Sequence, residues 1–132
     1  HPQLLESLGR AGHGSLVLIA DSNYAHSTNA HPAADRVHLN LCPGLLTADQ
    51  VLEVLLDAIP VEAAASMVGP DGADSAAITG FAAALEGVPY ERLQREPFRA
   101  MARSADLAVI VATGDTRHYA NVMLTIGALP GS

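Results

Sequence analysis

The chain has 132 residues, of which 49% are hydrophobic, and carries a formal charge of −7 in which all seven basic residues are arginines. That length suits one domain spanning residues 1–132 with a core of its own. The acidic balance and the scarcity of aromatics (4%, no Trp) argue against nucleic acid and anionic membrane as partners, and no apolar run approaches the ~18 residues of a membrane span.

In chain order, residues 2–11 read as a first helix. Leu4, Leu5, Leu8 and Ala11 recur at helical spacing, with Pro2 in the first turn and Gly12 just past the end. Gly12-His13-Gly14 follows as a sharp loop. The continuous apolar run before Asp21 predicts a strand over residues 15–20, covered on both faces. Residues 22–32 are polar and read as a loop leaving that strand. Residues 37–41 alternate and predict a short half-exposed strand, closed by the turn Cys42-Pro43-Gly44.

Thr47-Ala48-Asp49-Gln50 is a capping box opening a helix that runs to Ile59 and is stopped by Pro60. Residues 63–68 read as an alanine-rich strand, and Gly69-Pro70-Asp71-Gly72 as a loop. A helix is expected over 76–85 and another over 91–105, broken or started near Pro97. Residues 107–112 form a second buried strand, closed by Thr113-Gly114-Asp115. The last strand is expected over 122–126. This pattern predicts an α/β fold, a single central sheet with buried strands and flanking helices.

Several residues carry chemistry. His13, between two glycines, has an imidazole that exchanges protons near neutral pH; the plainer reading is a loop histidine beside a helix end. Asp21 ends an apolar strand, where a carboxylate needs hydrogen bonds. It serves as a sugar-hydroxyl ligand, a base, or a cap of the next turn. Asp115 at the end of the second buried strand reads as a turn residue. His26, His31 and His38 lack metal-ligand spacing, so no metal site is expected. Cys42 reads as a structural thiol, and as a lone cysteine it fits a reducing compartment. His1-Pro2-Gln3 lacks the basic and apolar regions of a secretory signal. Tyr119 and Asn121, one residue apart, would face the same side of an extended segment and grip one polar ligand.

These residues also carry a resemblance. His1-Pro2-Gln3-Leu4-Leu5 with Gly12-His13-Gly14, Ile19-Ala20-Asp21-Ser22-Asn23-Tyr24, Pro43-Gly44-Leu45-Leu46-Thr47 and Ala112-Thr113-Gly114-Asp115 with Tyr119-Ala120-Asn121 resemble the ribose pyranase/fucose mutarotase family nearly end to end. The resemblance implies a cytoplasmic, cofactor-free isomerase of free monosaccharides, assembled as a ring-shaped homo-oligomer, commonly a decamer, with sites between subunits. It further implies His13 as the acid, with Asp21 and Tyr119 also in the catalytic group. Asp21, Tyr119, Ala120 and Asn121 would hold the sugar, joined by Arg95 at the family's Arg/His position and by His26. The run from Asp21 to Ser27 is more similar to the fucose mutarotase branch, which makes L-fucose anomer exchange the first expectation. D-ribose pyranose–furanose exchange is the alternative, and a non-enzymatic sugar-binding accessory of a transport system the competing class. His13 and Asp21 stand at opposite ends of one strand, so a shared site would require a fold-back or a second subunit.

Overall fold

A computed structural model describes residues 1–131. Six strands make one sheet in the order β2-β5-β1-β6-β3-β4, where β1 is Leu16–Ala20, β2 Asp35–His38, β3 Val61–Met67, β4 Tyr90–Leu93, β5 Leu107–Ala112 and β6 Val122–Ile126. The pairs β1–β5, β2–β5 and β3–β4 are parallel, and β6 runs antiparallel to both β1 and β3. Five strands therefore point their carboxyl ends the same way, and β6 begins at that end.

Alternate residues of β1 enter separate cores. Val17 and Ile19 pack with residues of α1 (Pro2–Arg10), α2 (Ala48–Ala58) and α3 (Ala76–Ala84) on one face. Leu16, Leu18 and Ala20 pack with Phe98 and Ala102 of α4 (Arg95–Ala102) and with Tyr24, Ala30 and Ala34 of the following loop on the other. All five residues of β1 are buried, which is why its apolar run is continuous rather than alternating. Among the described residues, no helix is long and apolar enough to cross a membrane.

Both sides of the α2 capping box form, with the Thr47 side chain accepting from the Gln50 amide and the Gln50 side chain from the Thr47 amide. Several expected features differ. The second strand begins at Asp35 and ends at His38, because its parallel register on β5 reaches only to Ala112. Residues 91–93, expected in a helix, instead form with Tyr90 the edge strand β4 against Ala64–Met67; helix begins only at Arg95, two residues before Pro97. Of the two glycines beside His13, only Gly14 takes a positive φ, +87°.

Asp115 is buried and ties the turn after β5 to the start of α2. Its Oδ2 accepts the Ala48 amide at 2.9 Å, and Arg117 bridges it to Asp49. Burial pushes the Asp115 carboxyl up, but the Arg117 guanidinium and the backbone amides of Ala48 and Arg117 outweigh it and hold it below the usual aspartate value. A depressed carboxylate stabilises the fold above its unfolded pKa and loses that contribution as pH falls through the folded one. Asp115→Asn should cost about 2 kcal/mol at pH 7, and the cost should shrink below pH ~4, as read by urea unfolding across pH. An equal cost at all pH values would contradict this role.

Candidate sugar site at the carboxyl ends of the strands

In open α/β sheets, ligands collect beyond the carboxyl ends of the strands, and a cleft of about 220 Å³ lies there. That volume suits a small polar molecule rather than a drug-sized one. Its wall comes from the end of β1 (Asp21, Asn23, Tyr24), the start of α4 (Arg95, Arg99) and the turn before β6 (His118, Tyr119, Asn121).

Asp21 is 5% exposed and fully anchored by backbone. Its Oδ1 accepts from the Asn23 amide at 3.0 Å and its Oδ2 from the Ala120 amide at 3.2 Å. Its own amide donates to Asn121 Oδ1 at 2.7 Å. Aspartate and asparagine thus lock each other across the strand end, which leaves the Asn121 amide nitrogen and the remaining carboxylate lone pairs for a ligand. Burial raises the Asp21 pKa, with a smaller push from Asp115, against lowering by the amides of Ala120, Asn23 and Tyr24. A buried carboxylate with a raised pKa is a competent proton acceptor.

The backbone at Tyr119 is not extended. Tyr119 sits in the left-handed region at φ +56°, uncommon for a side chain of that size. Ser75 Oγ donates to its carbonyl at 3.1 Å and helps fix the turn. The two side chains line one cleft because the turn curls round it, not because a pleat alternates. Ala120 is buried and contributes its amide to Asp21.

The outer wall is stapled by Arg36, whose guanidinium donates to the carbonyls of His26, Ala30, His31, Pro32 and Ala34. This organises the polar loop after β1 without regular structure. The Tyr24 hydroxyl donates to Asn29 O at 2.7 Å, and burial raises its pKa to about 12, against the nearby charges of Arg99 and Arg103.

Not every expected residue arrives. His26 is outside the cleft lining; its ring meets that of His38 edge to face at 5.2 Å. His13 is also absent from the cleft and sits at the other end of β1, its Nε2 2.9 Å from Glu62 Oε2. Five strand residues separate the two ends by about 16 Å. Cys42 is exposed and unpaired. Among the described residues no cluster of three metal-capable side chains occurs. Arg99 and His118 line the cleft without having been singled out in the sequence. Arg99 had a readable signal, since it lies four residues after Arg95 on the same helix face. Its Nε is buried without a hydrogen-bond partner.

Comparison with known proteins places this geometry among relatives. A model of the RbsD / FucU transport protein family matches residues 1–129. A protein from Paracidovorax citrulli named D-ribose pyranase is 32% identical, over 96% of this chain and 92% of its own. The structure of Bacillus subtilis RbsD complexed with D-ribose superposes with a TM-score of 0.87 at 22% identity, covering 98% of this chain and 95% of that one. That of the Streptococcus pneumoniae fucose mutarotase in complex with L-fucose gives 0.82 at 27%, covering 98% and 94%.

Proposed function

This chain belongs to the RbsD / FucU family, and from that premise we propose that it is an isomerase interconverting the ring forms or anomers of a free monosaccharide. The observation that carries the reading is the cleft in which Asp21, Ala120 and Asn121 are locked together beside Arg95 and Tyr119. Opening a cyclic hemiacetal requires one proton delivered to the ring oxygen and one removed from the anomeric hydroxyl, with scission of the bond between the anomeric carbon and the ring oxygen. His13 gives the first proton and Asp21 takes the second; both return when the ring closes on the other face or through another hydroxyl. Tyr119, Asn121 and Arg95 hold the remaining hydroxyls. Positioning and proton transfer suffice for this reaction without a cofactor.

His13 reaches the cleft from a second copy of the chain. Its distance from Asp21 in one copy supports that arrangement, as does the apolar groove beside it, lined by Leu8, Ile59, Pro60, Ile126 and Leu129. The assembly is a ring of copies, a decamer by resemblance, working in the cytoplasm. Of the two reaction forms, D-ribose pyranose–furanose exchange is favoured by the 32% identity to the ribose pyranase. L-fucose anomer exchange rests on the run Asp21-Ser22-Asn23-Tyr24.

Saturation-transfer NMR on ribose, fucose and galactose tests the reading. Faster exchange of one sugar is expected; binding without faster exchange would instead mark a transport accessory. Asp21→Asn should weaken sugar binding about 10–100-fold, the worth of one or two hydrogen bonds to a charged group. Because the Asp21 pKa is raised, wild-type affinity should fall with acid at a higher pH than an ordinary aspartate dictates. Unchanged binding by the Asn variant would remove Asp21 from the site.

A further inference from the structure

Glu62 belongs to no part of the cleft, yet the chain goes to some length to aim it. In the antiparallel pairing of β3 with β6, Val61 faces Ile126 and Ala63 faces Thr125, so Glu62 is the extra residue of a bulge. Bulges redirect a side chain out of the regular alternation and recur beside active sites. The same segment of β6 also fixes His13. The Gly14 amide donates to Ile126 O at 2.9 Å, and the Gly127 amide donates to Pro60 O at 2.9 Å. Both partners are therefore held against one point of the sheet, with His13 Nε2 2.9 Å from Glu62 Oε2. Their side chains are 58% and 46% exposed. An ion pair that open contributes little to stability, which leaves the bulge without a stability rationale.

We propose that Glu62 is the positioning residue of His13: it accepts a hydrogen bond from Nε2–H and presents Nδ1 as the atom that exchanges the proton. This rests on the proposed ring-opening reaction. Through the cycle Nε2 keeps its proton and its bond to Glu62. Nδ1–H gives its proton to the ring oxygen as the bond to the anomeric carbon breaks, and regains it on closure. The logic is that of a carboxylate holding a histidine in one tautomer and orientation.

Two measurements on the full chain test it. In ¹⁵N spectra at a pH where the imidazole is neutral, the His13 signals, identified by their loss in His13→Ala, should show a protonated Nε2 and a bare Nδ1. In Glu62→Gln they should move toward averaged values, because an amide both donates and accepts. The same variant should slow sugar exchange about tenfold, the low end of what loss of an imidazole's partner costs given this exposure, with sugar affinity and oligomeric state unchanged. A full exchange rate in Glu62→Gln, a wild-type Nδ1–H tautomer, or a loss of affinity or assembly with the rate would each overturn the proposal. The tautomer measurement needs no turnover. Wild-type protein with a fixed Nε2–H tautomer but no acceleration of any sugar would therefore sink the isomerase reading and not the Glu62–His13 geometry.

Discussion

Replacing His13 with alanine should lower the enzymatic rate of sugar exchange by about 10²–10⁴-fold, the range lost with a positioned general acid. Affinity for the sugar should change little, because Asp21, Tyr119 and Asn121, the groups proposed to hold its hydroxyls, line the cleft and stay in place. The fold should be indifferent, since the imidazole is more than half exposed. A stronger form of the experiment uses two dead variants. If His13 serves the cleft of a neighbouring copy, mixing His13→Ala with Asp21→Asn and reassembling the oligomer puts an intact imidazole against an intact cleft in about a quarter of the sites. Activity should return to roughly that fraction. Wild-type exchange in His13→Ala would remove the acid; absence of recovery on mixing would remove the shared site.

Gly114→Ala should be the most destabilising single-methyl substitution in the chain. A Cβ at this position would lie 2.1 Å from the carbonyl oxygen of Leu45 and 2.4 Å from that of Cys42. These are backbone atoms of a loop that Gly114 itself ties down, through Gly114 N to Leu46 O at 3.0 Å and Gly44 N to Gly114 O at 2.7 Å. No rotamer change relieves the clash. The loop must retreat and give up both hydrogen bonds, for a combined cost of about 3–5 kcal/mol, or a drop in Tm on the order of 10 °C. Because Asp115 and the turn to Tyr119 follow directly, the cleft should loosen as well. Gly12→Ala is the control: nothing lies within 4 Å of its Cβ and its φ is not positive, so its Tm should stay within about 2 °C of wild type. A Gly114→Ala protein as stable as Gly12→Ala would refute the close approach.

Much of the architecture is written locally. The capping box at Thr47, the buried runs of β1 and β5 and the proline that stops α2 are each decided by neighbours in the chain. β4 escaped because Tyr90-Glu91-Arg92-Leu93 is polar, exposed in part and short; only its pairing with the already formed β3 makes it a strand. The turn at Tyr119 escaped for a related reason. A tyrosine in left-handed backbone is unfavourable taken alone and exists because Ser75, at the Tyr119 carbonyl, and Asp21, at the Ala120 amide, hold the turn from two sides.

By itself, then, the sequence determined the α/β class and most of its elements. It also marked His13, Asp21, Tyr119 and Asn121 as residues of interest, since glycine freedom, strand-end carboxylates and the spacing of neighbouring polar side chains are matters of a few adjacent residues, whereas Arg95 entered only through the family resemblance. The tertiary structure decided which of them meet. It gathered Asp21, Arg95, Tyr119 and Asn121 from three separate stretches, because strand order rather than chain order sets neighbours at the carboxyl edge of a sheet. It withdrew His26 to the side of His38, added Arg99 and His118, and sent His13 to the far edge beside Glu62. That last separation follows from the length of one buried strand, too stiff and too well packed on both faces to fold back on itself.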